Sequence, residues 1–194
     1  MKLSFLSRLF GGNMPRFESE RLKFRAIKRG DLEDIFEYSN NPQTSQYLLW
    51  SPHQNIFVTQ EFIDIVLSKY KSGEYHDWAI VLKKSNKMIG TCGFTRIDED
   101  NKTIEIGYVI NPTYWGNGYA TEAVNAILEF AFTELDINRV EARFMAGNDA
   151  SLTVMKKVGM TFEGYLRDAA FSKGQYKTIG VSSILKREYL AMKK

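Results

Sequence analysis

The residues best placed to do chemistry are Glu105 and a pair of glycines, Gly116 and Gly118, in the run Ile104-Glu105-Ile106-Gly107-Tyr108-Val109-Ile110-Asn111-Pro112-Thr113-Tyr114-Trp115-Gly116-Asn117-Gly118-Tyr119-Ala120-Thr121-Glu122-Ala123. It reads as a strand, a short glycine-punctuated turn and the start of a long helix. A helix start exposes unpaired backbone N–H groups at the positive end of the helix dipole. Glycines there let phosphates approach the backbone closely. The segment therefore suits a phosphate-bearing ligand, with a carboxylate on the strand that leads into it. Strand side chains alternate, so Ile104, Ile106, Tyr108 and Ile110 point one way and Glu105, Gly107 and Val109 the other.

Two familiar phosphate loops do not fit. The Walker loop needs Lys-Ser/Thr directly after its second glycine, and Gly118 is followed by Tyr119-Ala120. The dinucleotide fingerprint needs a third glycine three positions after the second, where this chain has Thr121. Nor is a metal centre expected, because His53, His76 and Cys92 have no ligand-like spacing. The lone Cys92 allows no intramolecular disulfide and fits a reducing compartment. It reads as core packing rather than as a nucleophile.

Several elements must position these residues. Residues 21–27 read as a strand, followed by a turn at Gly30-Asp31, with Asp31 as N-cap of a helix through about Asn40. Pro42 and Pro52 bracket an aromatic segment, Tyr47-Leu48-Leu49-Trp50. Residues 58–71 have helical periodicity ending at Gly73, and residues 77–83, 87–97 and 103–110 read as strands joined by hairpins. Residues 119–135 place Ala120, Ala123, Val124, Ile127, Leu128, Ala131, Phe132 and Leu135 on one buried helix face. A strand at 139–145, a helix at 150–158 ending at Gly159, and strands at 161–171 and 176–186 complete the chain. This order predicts an α/β (mixed α+β) fold: a mixed, mostly antiparallel sheet of about seven strands with helices on both faces.

The 194 residues fit one domain, at 14–194, with residues 1–13 as a poorly ordered N-terminal extension. A dimer or membrane contact is the sharper alternative for that extension. Hydrophobic residues make up 44% and charged residues 25%, as in soluble globular chains. The net charge of +3 suits an anionic ligand, but without a long basic run it does not suggest nucleic-acid binding. No apolar stretch reaches transmembrane length and no secretory cleavage site is evident, so a cytoplasmic protein without membrane contact is expected. A homodimer remains open.

Gly116-x-Gly118 in its flanking sequence resembles the pyrophosphate loop of the GCN5-related N-acetyltransferases, the GNAT superfamily, with Thr113 where Gln or Arg is usual. The form Tyr114-Trp115-Gly116-Asn117-Gly118-Tyr119-Ala120-Thr121-Glu122-Ala123 resembles the branch of ribosomal-protein alanine N-acetyltransferases, the Rim type. The resemblance runs from about Phe17 to about Tyr189. It includes the segment 18–25, Asn138-Arg139-Val140-Glu141-Ala142, Asn148, Ser151, Gly159-Met160, Gly164-Tyr165-Leu166-Arg167 and Ser183-Ile184-Leu185-Lys186.

The resemblance implies an acetyl-CoA-dependent N-acetyltransferase that transfers acetyl directly to a primary amine, either a protein N-terminus or a small molecule. Val109 and Ile110 would pair with the pantetheine arm. Trp115, Gly116, Asn117, Gly118, Tyr119 and Ala120 would surround the pyrophosphate, and Asn148 would bond the pantetheine, cap the helix at 150, or both. Asn117 supplies no cation where many relatives carry one. Glu105 is the candidate base, directly or through a water, because an amine must be neutral to attack a thioester; a structural ion pair is the competing reading. The tyrosine acid common in the superfamily is absent, since Met155 stands there. Ser151 is the remaining candidate acid, and helix capping is its alternative role. Tyr47, Trp50, Tyr75 and Trp78 are candidates for the acceptor side or for the core, with Tyr165, Arg167 and Asp168 bordering the cleft. An acetyl-CoA-binding sensor with little catalysis is the rival function.

Overall fold

The computed structural model describes residues 14–72 and 76–193. The N-terminal extension at 1–13, the helix end at Gly73 and the aromatic Tyr75 lie outside the described residues. The chain builds one eight-stranded sheet in the order β1-β2-β3-β4-β5-β6-β8-β7. Its strands are β1 (Phe17–Glu18), β2 (Leu22–Arg25), β3 (His76–Leu82), β4 (Met88–Asp98), β5 (Thr103–Ile110), β6 (Arg139–Met145), β7 (Thr161–Ser172) and β8 (Gln175–Leu185). Only β5 and β6 pair in parallel, and the other neighbours are antiparallel. The expected sheet of about seven strands gains one, because the opening segment folds back at Ser19–Arg21 into the two short strands β1 and β2.

Six helices accompany the sheet among the described residues: α1 (Leu32–Ser39), α2 (Pro42–Ser45), α3 (Ile56–Ser72), α4 (Tyr119–Thr133), α5 (Asp149–Lys157) and α6 (Lys186–Met192). On one face, α4 buries Ala123, Val124, Ile127, Leu128, Ala131 and Phe132 against Ile104, Ile106 and Val140 of the sheet. Full burial of each of the larger side chains, Val124, Ile127, Leu128 and Phe132, contributes about 1.5–3 kcal/mol, so this face dominates the anchoring of α4. On the other face, Ile35 and Tyr38 of α1 and Ile63 and Val66 of α3 cover Ala79, Val81 and Met88. The two expected helix layers are therefore present.

Two local readings are corrected, and one unassigned segment gains a helix. Asp31 precedes α1, but its side chain does not cap it. Its carboxylate turns back to take both Arg25 Nη atoms at 2.7 Å and the Lys28 N–H at 2.9 Å, because a forked guanidinium outcompetes a single backbone donor. The final strand stops at Leu185, and Lys186–Met192 turns helical as Glu188 Oε2 accepts the Leu185 N–H at 2.9 Å. That helix seats Tyr189 against Phe132. Finally, the segment after α1 contains the short α2, whose start is capped by Asn41 Oδ1 accepting the Gln43 N–H at 2.9 Å. Among the described residues, no helix is long and apolar enough to cross a membrane.

Candidate active site

The parallel ladder between β5 and β6 runs from Thr103↔Arg139 to Ile106↔Ala142 and stops there. Both strands continue, β5 to Ile110 and β6 to Met145, but they no longer pair with each other. A V-shaped opening results, edged by residues 107–110. β5 keeps its antiparallel partner β4 through this stretch, with Gly90↔Ile110 and Thr91↔Val109 in register, so only the β6-facing edge is free. Along β5 the side chains alternate as expected: Ile104, Ile106 and Ile110 join the core beneath α4, and Val109 packs against the opposite core.

Beyond the open end of β5, Asn111 begins a 3₁₀ turn at Pro112–Tyr114, with its Oδ1 accepting the Thr113 N–H at 3.0 Å. Gly116 and Gly118 follow with φ of +76° and +78°, a region that L-residues with a side chain avoid. A Cβ on Gly116 would meet nothing within 4 Å; the space above the turn is open. Gly118 is the N-cap of α4 and offers no side-chain cap. Among the described residues no acceptor takes the N–H groups of 116–121; the next along, from Glu122, goes to the Gly118 carbonyl at 3.0 Å.

The turn's carbonyls are engaged instead. Asn117 Nδ2 donates to the carbonyls of Tyr114 (3.2 Å) and Trp115 (3.0 Å), and Arg21 Nη1 donates to that of Asn117 at 3.1 Å. A row of free N–H groups at a helix start, with its acceptors turned away, fits an anionic ligand such as a pyrophosphate. Trp115 contributes through its ring nitrogen, which donates to the Ile110 carbonyl at 2.7 Å. That carbonyl is thus committed within the protein, so Ile110 has less to offer a pantetheine arm than its place on the strand suggests. Tyr119 and Ala120 open α4 directly behind the glycines.

Ser151 and Asn148 stand at the start of α5, on the same face as Tyr108. The Asn148 Oδ1 accepts the Ser151 N–H at 3.1 Å, the capping arrangement. The Tyr108 hydroxyl lies 2.8 Å from Ser151 Oγ and donates to the Ser151 carbonyl at 3.2 Å. Burial raises the Tyr108 pKa, against a smaller lowering by the hydrogen bond with Ser151. Tyr108 is therefore a neutral hydroxyl at physiological pH.

Glu105 lies on the opposite face, just before the ladder ends. Its Oε2 pairs with Arg143 Nε at 3.0 Å and its Oε1 accepts from Thr95 Oγ1 at 3.0 Å. Arg143 also lies 3.8 Å from Glu141, and Arg139 links Glu141 (2.9 Å) to Glu163 (2.6 Å). These groups alternate in sign across a part of the sheet that α1 and α3 do not cover. The structural ion pair considered for Glu105 is thus present, and it leaves a carboxylate oriented by two partners at the apex of the V.

Other candidates fall elsewhere. Trp78 is fully buried, donates from Nε1 to the Pro15 carbonyl at 2.8 Å and packs edge-on against Phe17 and Phe94; it belongs to the core and not to an acceptor wall. Tyr47 approaches Gly147, next to Asn148. Trp50 stacks obliquely on His53, 5.6 Å between ring centres. Arg167 and Asp168 sit where β7 loses register between Leu166 and Ala170, and Tyr165 is half-exposed. Cys92 is wholly buried, and burial pushes its thiol pKa well up, so no thiolate is available there. The sequence alone did not mark Tyr108, Thr95, Arg143 and Arg21 as neighbours of the site. Strand alternation already put Tyr108 on the core side. The other three come from separate strands and turns and carry no local signal.

Comparison with known proteins agrees with this geometry. Residues 21–161 match the family model described as an acetyltransferase (GNAT) domain. The uncharacterized N-acetyltransferase p20 of Bacillus licheniformis is 32% identical over 91% of this chain and 99% of its own length. The candidate ribosomal N-acetyltransferase YdaF of Bacillus subtilis is 33% identical over 88% of this chain and 94% of its own. A spermidine N(1)-acetyltransferase of Vibrio cholerae is 24% identical over 89% and 97%. A GNAT-family acetyltransferase from Bacillus anthracis superposes with a TM-score of 0.80 at 28% identity, covering 90% of this chain and all of that one. With its glycine turn, splayed strands and mixed sheet, the chain belongs to the GNAT acetyltransferase family, whose members transfer acetyl from acetyl-CoA to an amine.

Proposed function

We propose that this transferase acetylates a peptide N-terminal α-amine, which enters from the open sheet face and meets the thioester in the V between β5 and β6. Bound acetyl-CoA supplies the activated acetyl group. The free N–H groups of Gly116, Asn117, Gly118, Tyr119 and Ala120 hold its pyrophosphate, and the β6-facing edge of β5 beyond Ile106 aligns the pantetheine arm, while the Val109 carbonyl faces Gly90 of β4. Glu105 takes the proton released by the attacking amine, directly or through one water. Ser151, held by Tyr108 and by the Asn148 cap, hydrogen-bonds the departing sulfur from the other face. The observation that carries this reading is the end of the β5–β6 ladder beside Glu105, which lets a base on one face and a hydroxyl on the other serve one opening.

Acceptor basicity favours an α-amine. With a pKa of about 7.7–8.0, roughly a tenth of it is neutral at pH 7, against fewer than about one in a thousand for an alkylamine near 10.4. A carboxylate can remove a proton as the bond forms, but it is too weak a base to deprotonate an alkylammonium beforehand. The open face also alternates carboxylates with arginines, unlike the uniformly acidic lining a polyamine would call for. The relationship to YdaF supports this choice; that to the spermidine acetyltransferase supports the small-amine alternative. Thiol release should be followed with acetyl-CoA and three acceptors: a short peptide with a free N-terminus, the same peptide with a blocked N-terminus and an intact lysine, and spermidine. Turnover with the free N-terminus alone is expected. Turnover with spermidine alone would replace the peptide reading, and binding of acetyl-CoA without turnover would favour a sensor. A homodimer, if formed, should be visible by light scattering of the same preparation.

A further inference from the structure

The phosphate turn carries no cation of its own: residues 113–121 contain no Lys or Arg. One reaches it from the other end of the chain. Arg21, in the turn between β1 and β2, donates from Nε to Glu122 Oε2 at 2.6 Å and from Nη1 to the Asn117 carbonyl at 3.1 Å. Its guanidinium also lies over the Tyr119 ring, 4.5 Å from the centroid. Ser19 Oγ and the Arg21 N–H each donate to Glu122 Oε1 at 2.7 Å. The β1–β2 turn thus clamps the turn and first helical residues of the phosphate site at Asn117, Tyr119 and Glu122.

We propose that Arg21 is the positioning residue of the phosphate site, fixing the peptide of its turn and cancelling the charge of Glu122; this rests on the reading of Gly116–Ala120 as the pyrophosphate cradle. Two physical effects support it. In a trans peptide the C=O and N–H point in opposite directions. Holding the Asn117 carbonyl toward Arg21 therefore aims the Gly118 N–H away from the β1–β2 turn, and glycine on both sides of Asn117 would otherwise leave that peptide free to rotate. In addition, Glu122 is a carboxylate in the first turn of α4, where it would repel an incoming phosphate. Arg21 and Ser19 occupy both its oxygens, and the pair neutralises the charge. The role is specific to the phosphate end of the ligand, since the reacting groups lie at the V.

The test compares two acetyl donors, acetyl-CoA and acetyl-pantetheine, which carries the same thioester without phosphates. In Arg21→Gln the KM for acetyl-CoA should rise at least about tenfold, with kcat unchanged and acetyl-pantetheine kinetics unaltered. Arg21→Lys keeps a cation but loses the fork that spans Glu122 and Asn117, so it should show the same pattern at several-fold. The second variant decides the matter if the first does not fold. An unchanged acetyl-CoA KM in folded Arg21→Lys would overturn the proposal, as would parallel losses with both donors, which would mark Arg21 as a structural tie alone. If the wild-type protein uses the two donors equally well, the cradle reading itself has failed, a different result from either of these.

Discussion

The glycine turn supports a prediction that separates a ligand cradle from an ordinary turn. Gly116 has a φ of +76°, and a Cβ added there would find no atom within 4 Å. Gly116→Ala thus meets no clash, and its effect on folding is conformational: about 1–2 kcal/mol for a left-handed L-residue. For a chain of 194 residues, each kcal/mol shifts Tm by about 2–4 °C, so a loss of roughly 2–8 °C is expected. Asparagine tolerates this conformation better, and Gly116→Asn should recover most of that loss. CoA binding should not recover with it. Either side chain stands in the space through which a phosphate reaches the N–H groups, and losing one charge-assisted hydrogen bond is worth about 1.5–3 kcal/mol, or about ten- to a hundredfold in affinity. Thermal unfolding and CoA calorimetry on the wild type and both variants provide the assay. A stable Gly116→Asn that binds CoA like the wild type would refute the reasoning.

Other consequences follow from the same geometry. Ser151→Ala should lower kcat by at least about tenfold and Tyr108→Phe by less, if the serine assists the leaving group. Because Tyr108 acts through Ser151, steady-state kinetics of the double variant should be no worse than Ser151→Ala alone. A Cβ on Gly90 would come within 2.0 Å of the Val109 carbonyl. Gly90→Ala should therefore force β4 off β5 beside the V, lowering stability by about 1–3 kcal/mol in denaturant titration and raising the KM for acetyl-CoA. Glu37 has a lowered pKa, first from its hydrogen bond with Lys87 and then from Asn111. A depressed carboxylate stabilises the fold above its unfolded pKa of about 4.3 and loses that contribution as pH falls through the folded value. Tm should thus drop on acidification below about pH 4.3, and Glu37→Gln should make that drop shallower.

How much was legible in the sequence depended on the range of each interaction. The strand Arg139–Met145 and the buried stripe of α4 were read directly, because periodicity is a local property of the chain. The left-handed turn at Gly116 and Gly118 was legible for the same reason, since glycine marks the conformation. Asp31 was misread as a cap because its real partner, Arg25, competes through space. Arg21 and Asn117 are 96 positions apart, and Tyr108 and Ser151 are 43 apart. No periodicity encodes such contacts; they appear only once β1–β2 is laid against α4, and α5 against β5. Trp78 could not be sorted by type alone, since a tryptophan serves a core and a cleft equally well. The end of the β5–β6 ladder at Ile106↔Ala142 has no periodic signal, because register is set by sheet geometry.

The most direct test of the central claim is the pH dependence of kcat for the wild type and Glu105→Gln, measured by CoA thiol release with a free-N-terminus peptide under saturating acetyl-CoA. If Glu105 carries the proton from the attacking amine, the variant should bind acetyl-CoA normally while kcat falls by roughly a hundredfold or more, with part of the activity regained at alkaline pH as the amine becomes neutral in solution. A Glu105→Gln variant with wild-type kcat at every pH would contradict the account and leave Glu105 as a partner of Arg143 alone.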